Sequence, residues 1–278
     1  MTELTKKEVP HKFHLVNPSP WPIFASFSLL ILLVGAVLYL HKSNSGHFLL
    51  PLGLALVLFS MFSWWKDVIK EGREDQAHSE VVRKGLSIGM LLFILSEVMF
   101  FVAFFWSFFN SSIDPSGFVS EDNPFAFTNK IWPPEGIKTI DPWNIPFLNT
   151  LILLLSGTTV TWAHYSLIHK NRQELVQALT ITVLLGAIFT CLQVFEYFHA
   201  EFKWRDGIYS SNFYMATGFH GFHVLVGTIF LFVCLLRARL GHFDGKNGHL
   251  GFEFAAWYWH FVDAVWIFLF VFIYVWGS

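Results

Sequence analysis

Seven stretches of the chain contain no Lys or Arg and are long enough to cross a bilayer. They are Pro22–Leu40, Phe48–Trp65, Gly85–Phe109, Pro146–Ile168, Val176–His199, Asn212–Leu236 and Phe254–Trp276. A helix crossing about 30 Å of hydrocarbon needs about 20 mostly apolar residues, and these runs hold 18 to 25 each. Strands of a membrane barrel would be about ten residues long with alternating polarity, and these runs are longer and more uniform. Asp, Glu, Lys and Arg make up 14% of the chain, against about 25% in a soluble domain, too few to solvate a globule of this size. The net charge of −2, with no basic block longer than two residues, argues against a nucleic-acid partner. Two cysteines, Cys191 and Cys234, make neither a disulfide scaffold nor a thiolate metal site. The expected fold class is an all-α, polytopic membrane protein.

Positive charge should collect on the inner side of the membrane. Thirteen cations fall on one side: Lys6, Lys7 and Lys12, then Lys66, Lys70, Arg73, Arg83 and Lys84, then Lys170 and Arg172, and finally Arg237, Arg239 and Lys246. Five fall on the other, namely Lys42, Lys130, Lys138, Lys203 and Arg205. The N-terminus is therefore expected inside and the C-terminus outside. The first apolar run is longer than the core of a signal peptide and no small-residue cleavage site follows it, so it reads as a retained helix.

Residues 110–145 form the one long connection, with Pro115, Pro124, Pro133, Pro134 and Pro142 plus Trp132 and Trp143. Proline fixes φ and removes a donor. The segment is therefore expected as a structured loop on the outer side, not helical throughout, packed on the helices or on a partner. The chain is expected to form a single membrane domain over 1–278.

An ionisable side chain in hydrocarbon usually faces protein or water and marks a site or an interhelical pair. Glu97, Glu196 and Asp263 lie well inside the spans, and His164, His199, His220, His223 and His260 lie inside them or at their ends. Glu196 and His199 are three apart, as are His220 and His223, and His260 and Asp263, so each pair shares a helix face. Glu97 has no ionisable neighbour on its own helix. Three readings stay open. Di-iron bundles use Glu-x-x-His from two helices, and Glu196-x-x-His199 supplies only one. Glu97 is a candidate proton carrier. Alternatively, His220, His223, Glu196, His260 and Asp263 serve as interhelical polar pairs. His220 and His223 lie on one helix and cannot bracket a haem iron from opposite faces. Phosphate-loop and nucleophile-elbow patterns are absent. Trp64, Trp65, Lys66, Asp67, Lys70, Glu71, Arg73, His78 and Arg237 cluster at the positive-side interface, either as a headgroup site or as solvated residues.

Certain motifs carry more than composition does. Asn17-Pro-Ser-Pro-Trp-Pro22 opens the first span, and Trp64-Trp65-x-Asp67-Val68 closes the second. Ser96-Glu-Val-Met-Phe-Phe101 and Trp132-Pro-Pro-Glu-Gly136 follow, then Asp141-Pro-Trp143, Pro146-x-Leu-Asn-Thr150 and Thr161-Trp-Ala-His164. Thr217-Gly-Phe-His-Gly-Phe-His223, Gly251-Phe-Glu253 and Ala256-Trp-Tyr-Trp-His-Phe-Val-Asp263 complete the series. In this order, from about residue 14 to the C-terminus, the chain resembles cytochrome c oxidase subunit III.

The resemblance implies an accessory core subunit of a haem-copper oxidase, which transfers electrons from cytochrome c to oxygen and pumps protons. Haem and copper would sit in partner subunits I and II, with no metal, cofactor or catalytic residue in this chain. It implies seven helices in a two-plus-five, V-shaped bundle (22–65 and 85–276) whose cleft holds phospholipid. It implies lipid-binding roles for Trp65, Glu71, His78 and Arg237, with Lys70 where Arg is often found, and it makes Glu97 a proton- or oxygen-path carboxylate. The implied partners are subunit I, subunit II, further accessory subunits and phospholipids. The implied location is the mitochondrial inner membrane, with the bacterial cytoplasmic membrane as alternative. A stand-alone transporter or metalloprotein using Glu97, Glu196 and the histidines is the competing function.

Overall fold

The computed structural model describes residues 18–73, 78–115, 131–243 and 249–278. The cations Lys6, Lys7, Lys12, Lys130 and Lys246, the side chain of Arg73, Asn17 of the first motif and residues 116–130 of the long loop lie outside the described residues. Seven helices follow in order: α1 Trp21–Leu40, α2 Asn44–Arg73, α3 Glu80–Ile113, α4 Ile145–Ile168, α5 Arg172–His199, α6 Ile208–Arg239 and α7 Leu250–Leu269. The last helix continues as a π-helical turn over Phe270–Val275. All seven are long and apolar enough to span a membrane, and no strand occurs among the described residues. The helices outrun several of the apolar runs. α2 continues past Trp65 to Arg73, and α3 starts at Glu80 rather than Gly85. Polar ends leave the hydrocarbon but still satisfy their backbone groups by continuing the helix.

The chain divides into two compact units, residues 1–86 and 87–278. In the first, α1 and α2 form an antiparallel hairpin. Its turn places Lys42 at φ 56°, and Ser43 N–H bonds Leu38 O at 2.9 Å. Glycine permits the close approach of the two backbones. A Cβ on Gly35 would lie 2.5 Å from Leu50 N, and one on Gly53 2.5 Å from Leu32 Cα. Small residues at such seams are how membrane helices gain packing contact. The open end of the hairpin is closed by Trp21 Nε1 donating to Asp67 Oδ2 at 2.5 Å.

In the second unit α7 is the most buried element. Trp259 and Trp266 are fully covered. Their indole N–H groups donate across to α4, Trp259 to Ser156 Oγ and Trp266 to Thr150 Oγ1, each at 2.9 Å. Space for Trp259 comes from two glycines. Cβ atoms on Gly186 of α5 and Gly227 of α6 would stand 2.8 and 2.9 Å from its ring. α4 and α5 are tied by Thr159 Oγ1 to Thr182 Oγ1 at 2.8 Å. Arg172 at the start of α5 donates Nε to Ala238 O at 2.9 Å and Nη2 to Arg239 O, satisfying carbonyls at the end of α6.

α3 joins this unit through aromatic rings: Phe104 stacks on Phe219 at 5.2 Å, and Phe101 meets Phe261 at 6.2 Å. Ser107 Oγ also donates to Asn212 Oδ1 at 2.7 Å. In the described part of the long loop, Trp132 wedges between Phe108 and Tyr209, 5.4 Å from each. Lys138 pairs with Glu201 at 2.5 Å.

Candidate functional site

The intramembrane polar residues resolve into separate clusters. On α3, Glu97 is brought to His223 of α6, with Oε2 2.8 Å from Nε2. The other ring nitrogen of His223, Nδ1, lies 2.6 Å from Phe219 O on its own helix. A carbonyl only accepts, so Nδ1 carries a proton. One further proton then lies between Nε2 and the carboxyl, held either as acid and neutral imidazole or as carboxylate and imidazolium. Phe100, Phe101 and Tyr258 surround the ring, at 6.1, 5.0 and 6.3 Å. Glu97 looked isolated along its own helix, but its partner lies 126 residues further on.

His220, on the same face of α6 by spacing, turns elsewhere. Its Nε2 donates to Val262 O of α7 at 3.2 Å, and its ring lies 5.0 Å from Trp266. The two histidines therefore tie α6 to two different helices.

Glu196 and His199 do not act together. Glu196 is buried and its Oε1 accepts from Tyr274 OH at 2.6 Å and from Gln193 Nε2 at 3.0 Å. His199 sits at the end of α5, exposed, where its Nδ1 bonds Phe195 O at 2.9 Å and its ring packs on Phe195. The imidazole bonds a carbonyl of its own last turn and not the carboxyl three residues back.

His260 and Asp263 do face the same way, but Nδ1 and Oδ2 are 3.8 Å apart, beyond hydrogen-bond range. His260 Nε2 lies 3.3 Å from Thr161 Oγ1 on α4. Asp263 Oδ2 presses against Gly157, where any side chain would collide with it. The side chain of His260 is 49% exposed although it stands near the middle of its span. His164 stacks on Phe252 of α7 at 6.0 Å.

Among the interface residues, Trp65 is exposed and Glu71 and His78 are half-buried, all in residues 1–86. Arg237, in the second unit, lies 4.8 Å over the ring of Phe243.

The ionisable residues were visible as breaks in apolar runs. Gln193 and Tyr274, which complete the Glu196 cluster, are uncharged and so carry no such signal. Asp67, visible at the end of its span, gave no sign that it would hold Trp21. No group of three or more His, Cys, Asp or Glu side chains converges among the described residues.

The fold and its interior define a polytopic helical membrane protein whose intramembrane carboxyls are hydrogen-bonded between helices or held against neighbouring backbone. Comparison with known proteins narrows this. The sequence model for "Cytochrome c oxidase subunit III" matches residues 11–278. A "Probable cytochrome c oxidase subunit 3" of Rickettsia bellii is 60% identical over 96% of this chain and 96% of that one. "Cytochrome c oxidase subunit 3" of Prototheca wickerhamii is 54% identical over 96% of this chain and 98% of its own length, and that of Arabidopsis thaliana 53% over 96% and 97%. The chain belongs to the cytochrome c oxidase subunit III family. It is a multi-pass membrane subunit of an oxidoreductase complex, and its relatives include bacterial and mitochondrial chains.

Proposed function

We propose that the chain flanks subunit I of the oxidase, stabilises it, holds structural phospholipid and supports proton uptake, while haem and copper reside in subunits I and II. Its N-terminus would lie inside, in the mitochondrial inner membrane or the cytoplasmic membrane of a bacterium. The observation that carries the partner assignment is the face of α4 and α7 around His260. There the imidazole of His260, 49% exposed, stands beside the hydroxyl of Thr161 at mid-span. Lipid offers such groups nothing to bond, so they favour a protein neighbour. Cysteine placed at 260 and treated with a short bifunctional cross-linker in the intact complex is expected to capture the haem-bearing subunit. Capture of lipid alone would overturn the assignment.

Lipid binding is proposed at Trp65, which closes the apolar run of α2, and at Glu71, His78 and Arg237, which stand at or just beyond helix ends, where headgroups lie and basic side chains meet phosphate. Replacing Trp65, His78 and Arg237 together with Ala is expected to lower the count of phospholipids retained in native mass spectra. An unchanged count would make them ordinary interface residues. Glu97 with His223 is proposed as the proton-holding pair of the chain.

A further inference from the structure

Four buried polar atoms near the C-terminal end of α5 have no hydrogen-bond partner: Asn149 Nδ2 and Oδ1, Gln193 Oε1 and Glu196 Oε2. Asn149 is 0% exposed, and Gln193 and Glu196 are 3% exposed. Buried polar groups in folded proteins are almost always satisfied by protein or by ordered water.

The helices place these three residues together. Thr159 meets Thr182 and Ser166 meets Glu174 across the antiparallel pair α4 and α5. Each step back along α4 is therefore a step forward along α5, and Asn149 falls level with roughly residue 192, next to Gln193. Asn149 also precedes Ser156 by two helical turns and shares its direction. Since Ser156 receives the indole N–H of Trp259, Asn149 aims into the seam between α5 and α7. Tyr274 enters from the π-helical turn of α7 and binds Glu196 Oε1, leaving Oε2 free.

The unpartnered set contains amide N–H as well as oxygen. Turning the Asn149 amide over exchanges its two atoms without changing that mixture, and Gln193 is held by its Nε2 donating to Glu196 Oε1. A cation suits the oxygens and not the N–H group, whereas a water molecule both donates and accepts and makes about three hydrogen bonds. We propose that Asn149, Gln193 and Glu196, closed off by Tyr274, form a buried water site, holding about one or two molecules. Its water keeps the Glu196 carboxyl in proton exchange although the residue is closed to bulk solvent.

The test uses the intact oxidase complex. A density map that resolves waters is expected to show a peak within hydrogen-bond distance of at least two of Asn149, Gln193 and Glu196, and Asn149→Leu is expected to remove it. The infrared carboxyl band lost in Glu196→Gln is expected to shift when the wild-type complex is moved to D2O. A peak bound by oxygens alone at about 2.3–2.6 Å would identify a cation and overturn the proposal. So would side chains turned onto one another with no peak between them, or a Glu196 band unmoved by D2O. The map and the band are both read on the wild-type complex, so failure of Asn149→Leu to assemble leaves both readings decisive.

Discussion

Trp259→Ala is expected to destabilise the unit spanning residues 87–278 by about 3–5 kcal/mol, the range for removing a large buried aromatic. Trp259 is fully buried, bonds α4 through Ser156, and fills space left by Gly186 on α5 and Gly227 on α6. One side chain of α7 therefore touches three other helices. Rigid helix backbones at both glycines limit how far the hole can collapse, which places the cost in the upper part of the range. Trp259→Phe keeps most of the ring and loses the N–H bond, so about 1 kcal/mol is expected. Denaturant titration of the complex in detergent would measure both. A loss below about 1 kcal/mol for the alanine variant would show that the helices close over the gap.

His223→Leu is expected to be nearly as harmful, and Glu97→Gln to be tolerated. The imidazole is the hydrogen-bond partner of Glu97 Oε2, and their side chains are 7% and 23% exposed. Removing it leaves a carboxyl without a bond, at about 1–3 kcal/mol if neutral and about 3–5 kcal/mol if it is the anion of a buried pair. Because Nδ1 donates to Phe219 O, a neutral His223 presents the lone pair of Nε2 to residue 97. A glutamine Nε2–H donates to that lone pair as a carboxylic acid would, so assembly of the complex should survive. Loss of the assembled complex in Glu97→Gln would show that the pair is carboxylate and imidazolium.

The class of the protein was legible without its fold. Apolar runs such as Val176–His199 become helices because a chain in hydrocarbon must satisfy each backbone group internally. α2 and α3 show the limit of that reading. Their charged ends, Lys66–Arg73 and Glu80–Lys84, continue the helices beyond the apolar runs, since hydropathy marks where lipid ends and not where hydrogen bonding ends. The family motifs were legible too, being contiguous strings of residues.

Spacing could place His220 with His223 and Glu196 with His199 on common faces, because residues three apart on one helix are neighbours whatever surrounds them. Which groups those faces meet depends on the rotation, tilt and register of helices far away in sequence. Glu97 found His223 at a separation of 126 residues and Glu196 found Tyr274 at 78. His199 turned to its own helix end instead. The sequence by itself determined that this chain is a bundle of membrane-spanning helices with a few polar groups inside. Only the tertiary structure decided how those groups are partnered, because a single helix carries no information about the neighbour that will complete its hydrogen bonds.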